Sequence, residues 1–149
     1  MNFIINFSFS FLSTVAFGVL TNIPRRALLA SGLTGGLGWL AYIILETNGY
    51  GLALANFGAT FVIGCISIFF SRRKKIPMII FNVPSLVPLV PGGPSYQAVR
   101  ELVLGNNYIA FENVMIVLIT AGSIAAAFMM TSLVERLVLK WQVYRKTRR

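Results

Sequence analysis

The chain has 149 residues, of which 56% are apolar and only 11% charged, against about 25% charged in an ordinary soluble domain. Mean hydropathy is +0.77, and 13 Lys or Arg accompany four Glu, with no Asp and no His. This excludes a soluble globular domain, a Ser-His-Asp triad, a two-His metal site and an aspartate pair, and the single Cys65 excludes a disulfide or a thiolate zinc cluster.

A membrane span takes about 20 mostly apolar residues, and the charges divide the chain into five uncharged stretches of that length. The expectation is an all-α integral membrane protein, one transmembrane domain over 1–149 with about five helices. The first stretch, 2–22, lacks a positive leader and carries Asn6, Ser8, Ser10 and Ser13, and Arg25 and Arg26 follow it. It reads as a first span with its N-terminus outside rather than a cleaved signal. The second, 27–46, ends at Glu46 and places Ala27, Ser31 and Gly35, and Gly32 and Gly36, at four-residue spacing, with Gly38 beyond. The third, 52–71, repeats the pattern with Ala55 and Ala59 and ends at Arg72, Arg73, Lys74 and Lys75. The fourth, 77–95, is dense in proline. A short amphipathic stretch at 97–104 follows it. The fifth, 111–138, pairs Gly122 with Ala126 and Ser123 with Ala127, and its helix runs on to about Arg145. Small residues on one stripe let helix backbones approach closely, so these stripes predict a compact bundle whose contacts can extend to another subunit or a higher oligomer.

Lys and Arg concentrate in cytoplasmic loops. Here the first loop, the third loop and the tail 139–149 (Lys140, Arg145, Lys146, Arg148, Arg149) are basic, whereas Glu46–Gly51 has no base. Five crossings place every basic cluster inside, the N-terminus outside and the C-terminus in the cytoplasm. The net charge of +9 then reflects topology and anionic-lipid contact, not nucleic-acid binding. Tyr50, Tyr96 and Tyr108 fall at outer span ends, and Trp141 and Tyr144 past the inner end of the last, as interfacial anchors.

The intramembrane polar groups are neutral: Asn6, Thr14, Thr34, Asn56, Thr60, Asn82, Ser85, Thr120 and Ser123. Amides in hydrocarbon require partners, so Asn6, Asn56 and Asn82 should face protein or water. No acid lies near mid-bilayer. A proton-linked role would fall to a span-end carboxylate, Glu101 or Glu112 first, or to another polypeptide. Glu135, beside Arg136, reads as an interfacial cap on the last helix.

Residues 76–96 hold five of the six prolines in the chain. Each interior proline removes a helical hydrogen bond, at about 3 kcal/mol in a soluble helix. Pro84, Pro88 and Pro91 would share one face and leave carbonyls on it unpartnered, which lipid does not tolerate unless protein or water covers them. Gly92–Gly93 would allow a sharp turn and close backbone approach. A discontinuous helix of this kind points to a transporter's binding site, with Asn82, Pro84, Ser85, Pro88, Pro91, Gly92 and Gly93 as the candidate substrate path.

Asn82 to Tyr96, with Pro84, the run Pro88-Leu89-Val90-Pro91-Gly92-Gly93 and Tyr96, resembles the threonine/serine exporter family. The likeness is to its small transmembrane-only subunit, equivalent to the C-terminal half of fused exporters, and extends over the whole chain. The resemblance implies export of small polar metabolites from the bacterial cytoplasm, threonine and serine foremost, with dicarboxylates such as succinate as the alternative. It implies coupling to the proton motive force across the plasma membrane. It also implies a second membrane subunit that carries a soluble domain and its own ionisable groups. The other reading is a structural or assembly subunit whose partner alone binds substrate. No catalytic residue, cofactor or metal is expected.

Overall fold

The computed structural model describes the backbone of residues 2–147 and the side chains of residues 2–138; Trp141, Tyr144 and the basic side chains of the tail lie outside the latter. Its helices are α1 (Phe3–Leu20), α2 (Arg25–Thr47), α3 (Leu52–Lys74), α4 (Ile79–Ser85), α5 (Gly92–Val103) and α6 (Asn107–Thr147), and no strand occurs among the described residues. Four of them, α1, α2, α3 and α6, are long and apolar enough to cross a membrane. The chain is an all-α multi-pass membrane protein, as its composition demands.

Of the two basic clusters between the first and fourth stretches, all but Lys75 lie inside helices rather than in loops. Arg25 and Arg26 open α2 behind the N-cap Pro24. Arg72–Lys74 form the last turn of α3, where positive charge complements the helix dipole, and Lys75 closes that helix in the left-handed region at φ 55°. Lys74 Nζ donates to the carbonyl oxygen of Arg26 at 2.7 Å, so the two clusters meet at one end of the bundle. The α2–α3 turn, with Gly49 at φ 82°, lies at the opposite end.

The long helices pack in the order α1, α2, α3, α6. On α2, Gly32 and Gly36 receive the rings of Phe11 and Phe7, Gly35 receives Thr14, and Gly38 receives Ile63 of α3. Lipid offers no hydrophobic drive for helices to associate, so such close contact is itself the source of stability. Gly64 takes Thr131 of α6 in the same way. Of the two stripes expected on α6, Ser123–Ala127 turns inward, with Ala127 fully buried. Gly122 and Ala126 face outward, and a Cβ on Gly122 would meet nothing within 4 Å.

The stretch 77–95 is broken. After α4 the chain turns through Leu86–Val90 and restarts as α5 at Gly92. That start precedes the expected amphipathic stretch 97–104, because Pro94 falls in the first turn of α5, where an N–H would be unpaired anyway. The turn expected at Gly92–Gly93 therefore lies earlier. Neither glycine has a positive φ, and a Cβ on either would meet no neighbour.

The broken segment runs the length of α2. Phe81 packs with Ala27, Ala30 and Phe70 near the basic end. Ser85 Oγ reaches the carbonyl oxygen of Ser31 at 3.0 Å, and Leu89 packs with Ala59, Ile63, Trp39 and Tyr42. From the level of Ala27 to that of Tyr42 is about 22 Å along a helix. α5 then packs against the first part of α6, the hairpin closed at Gly105 with φ 83°.

Candidate functional site

Pro84, Pro88 and Pro91 supply no N–H, and the backbone around them does not recover a helical pattern. Val87 N–H turns back to the Pro84 carbonyl, and Leu89 and Val90 share that of Leu86. The carbonyls of Val83, Ser85, Val87, Pro88 and Leu89 accept no hydrogen bond from another described residue. Ser85 is fully buried, and its hydroxyl lies within reach of the carbonyls of Phe81, at 2.7 Å, and Ser31. It thereby ties the end of α4 to α2 where backbone bonds run out.

A cavity lies at each end of this segment. One of about 330 Å³, near the basic end, is lined by Met78, Ile79, Asn82, Val83 and Leu86 on one wall and by Phe128, Ser132 and Glu135 of α6 on the other. The second, of about 180 Å³, opens at the far end and is lined by Trp39, Tyr42, Leu52, Asn56, Pro88, Leu89, Val90, Pro91, Pro94, Ile116 and Thr120. Leu86 belongs to the first lining and Leu89 to the second. A third, apolar cavity of about 430 Å³ lies on the outer side of the break, between Phe17 and the edge formed by Val83, Leu86, Val87, Val90 and Gly92.

At the level of each of the first two cavities, side chains pack the interior of the bundle. Phe81 with Ala27 and Ala30 forms one apolar layer, and Leu89 with Ala59 and Ile63 another. On each strand of the packing a fully buried hydroxyl lies between these layers in the chain: Ser31, Ser67 and Ser85. The hydroxyl oxygens of Ser31, Ser67 and Thr60 have no partner among the described residues, and neither does Asn82 Oδ1. A polar layer with unspent hydrogen-bonding capacity thus crosses the middle of an apolar bundle.

The expected path residues divide among these places. Asn82 lines the basic-end cavity, and Pro88 and Pro91 line the far one. Pro84 and Ser85 are buried at the break between them. Gly92 borders only the apolar cavity, and Gly93 lines none of the three. Asn6 bonds within its own helix to the Asn2 carbonyl, and Asn56 Nδ2 to that of Leu52 at 2.8 Å. Glu101 is held at the α5–α6 turn by Arg100 Nη1 at 2.9 Å and Asn106 Nδ2 at 2.7 Å. Glu112 is exposed on α6. Neither carboxylate lines one of the cavities, whereas Glu135 does.

Ser31, Ser67, Trp39, Tyr42 and Ser132 were not anticipated as site residues. Ser31 reads from sequence as a packing residue. Ser67 had a signal: with Asn56 and Thr60 it falls at helical spacing on one face of α3. The aromatic pair Trp39–Tyr42, stacked with centroids 5.1 Å apart, had none, because its place in a cavity wall depends on where α4 ends.

A broken helix flanked by two cavities in a multi-pass helical bundle is the kind of discontinuity on which transporters build a binding site. The family model described as Threonine/Serine exporter, ThrE, matches residues 6–134, and the chain belongs to that family. No solved structure matches it.

Proposed function

We propose that this chain is one transmembrane subunit of a secondary exporter, driven by the proton motive force, that moves small polar metabolites out of bacteria, threonine and serine foremost. The observation that carries the reading is the pair of polar cavities at opposite ends of the broken segment, with Asn82 at one end, Pro88 and Pro91 at the other, and free carbonyls between. Such carbonyls suit an ammonium group, and alternating access needs a site that opens to one side at a time. By the distribution of bases, the Arg25 and Arg72 end faces the cytoplasm, and the segment 77–95 makes the fourth of five crossings.

The reading includes a second membrane subunit with a soluble domain. The broken segment leaves one side uncovered: Ile79, Val83 and Val90 are 65%, 46% and 56% exposed. Broken backbone at membrane depth must be enclosed by protein, and a partner seated between α1 and α6 would enclose it. The test is threonine and serine efflux from cells that carry both subunits, compared with a strain that lacks this chain. Loss of efflux in the deletion strain, and its collapse when a protonophore is added, are the expected results. Succinate efflux in place of threonine would assign the dicarboxylate alternative.

The packed interior of the bundle favours a second reading, an assembly subunit whose partner alone binds substrate. Expressing the partner by itself separates the two. Undiminished efflux from the partner alone, at matched membrane level, would replace the first reading with the second.

A further inference from the structure

We infer that Glu135, Ser132 and Asn82 form an entry site for the primary ammonium group of an amino-acid substrate, at the basic end of the bundle. This rests on the reading of the chain as an exporter subunit and deepens it, because it names the residues that meet the substrate's ammonium group.

α4 packs on α1, α2 and α3, but among the described residues none of its Cα atoms lies within 8 Å of one in α6. The gap holds the cavity of about 330 Å³, within the range of small-ligand sites, about 300–1,000 Å³. Its polar lining comes from three side chains only: Asn82 of α4 and Ser132 and Glu135 of α6. Ser132 Oγ donates to the Phe128 carbonyl at 2.8 Å, so its lone pairs are left as acceptors. Asn82 Oδ1 has no hydrogen-bond partner among the described residues. An ionised Glu135 only accepts, and among the described residues no basic side chain pairs with it.

The lining therefore offers three side-chain oxygen groups, one carboxylate among them, against the single donor group of the Asn82 amide, and it includes no Lys or Arg, although the same end of the bundle bears Arg25, Arg26 and Arg72–Lys75. Met78, Ile79, Val83, Leu86 and Phe128 supply apolar walls, and once the partner covers Ile79 and Val83 these walls would strengthen a charge-assisted hydrogen bond by excluding water. A primary ammonium has three donors for three acceptors and a charge opposite to that of Glu135. A dicarboxylate meets the like charge of Glu135 with only the Asn82 amide N–H groups to donate to it, so the site favours amino acids over dicarboxylates.

The test is threonine uptake by inverted membrane vesicles that contain this chain and its partner, which presents the basic end to the medium if the proposed orientation holds. Wild-type vesicles that take up no amino acid would defeat the exporter reading itself. Given wild-type uptake, Glu135→Gln should raise the KM for threonine about tenfold, the loss of one charge-assisted hydrogen bond, with kcat changed less than about twofold. Glu135→Asp should recover part of that rise. An unchanged KM, or a fall in kcat alone, overturns the assignment. Should Glu135→Gln fail to reach the membrane, Ser132→Cys in a Cys65→Ser background supplies the second measurement. Threonine should protect the introduced thiol from maleimide, and succinate should not; absent or equal protection overturns the inference.

Discussion

Gly35 and Gly122 lie on different helices and differ only in what they face. Gly35 receives Thr14 of α1, whereas a side chain on Gly122 would meet open space within this chain. Overpacking of a tight contact costs about 1–3 kcal/mol. Gly35→Leu is expected to lower the melting temperature of the detergent-solubilised chain, and Gly122→Leu to leave it unchanged. Equal shifts would mean that the α1–α2 approach is not what the fold relies on. Ser85 acts on a smaller scale. Its hydroxyl is the side-chain tie from the end of α4 to α2, and interhelical hydrogen bonds in membranes average about 0.6 kcal/mol. Ser85→Ala should therefore be mild in thermal denaturation and larger in transport, because it also unties the end of α4 from α2 beside the break. A transport rate that falls only in proportion to protein level would remove Ser85 from the path.

At the scale of elements, the prolines decide. Pro88 withholds an N–H from Pro84, in a segment where an added helical residue is worth about 3 kcal/mol over proline. Pro88→Ala is expected to extend α4 toward Gly92, to draw Pro84 and Val87 into helical bonding, and to narrow the cavity that Pro88 lines with Trp39 and Asn56. Membrane level should be unchanged and export reduced; normal efflux at matched expression would show that the break is not needed.

The existence of this break was legible in the sequence, because proline chemistry is local and each missing donor can be counted. The four long helices were legible for a similar reason, since charges mark their ends. What could not be read was where the turn falls and what faces it. Gly92–Gly93 looked like the turn, yet the helix rule that excuses Pro94 in a first turn moved them into α5. Glu135 looked like a terminal cap because its neighbour in sequence is Arg136. Its neighbour across the cavity, Asn82, is 53 positions away by subtraction, and only the gap between α4 and α6 brings the two to one lining.

For the whole molecule, the bases define an axis. Lys74 and Arg26 meet at one end, and Tyr50, Tyr96 and Tyr108 are exposed toward the other. A cysteine placed at Gly49 in a Cys65→Ser background should react with an impermeant maleimide in intact cells, and one placed at Lys75 only after permeabilisation. The reverse pattern would invert the topology and make the Glu135 cavity an exit rather than an entrance.

α6 gives this axis a mechanical meaning. Its 41 residues span about 60 Å at 1.5 Å each, roughly twice the hydrocarbon thickness of a bilayer. The helix forms one wall of both polar cavities, through Ile116 and Thr120 at one and Phe128, Ser132 and Glu135 at the other. A straight rod pivoting at its midpoint moves its two ends in opposite directions. A tilt of about 10° displaces one end of such a rod relative to the other by about 10 Å. Pivoting at the close contact between Gly64 and Thr131, such a tilt would leave Phe128 and Ser132, which flank that contact, nearly in place while it carried Ile116 and Thr120 sideways, so the far cavity would change width before the basic-end one does.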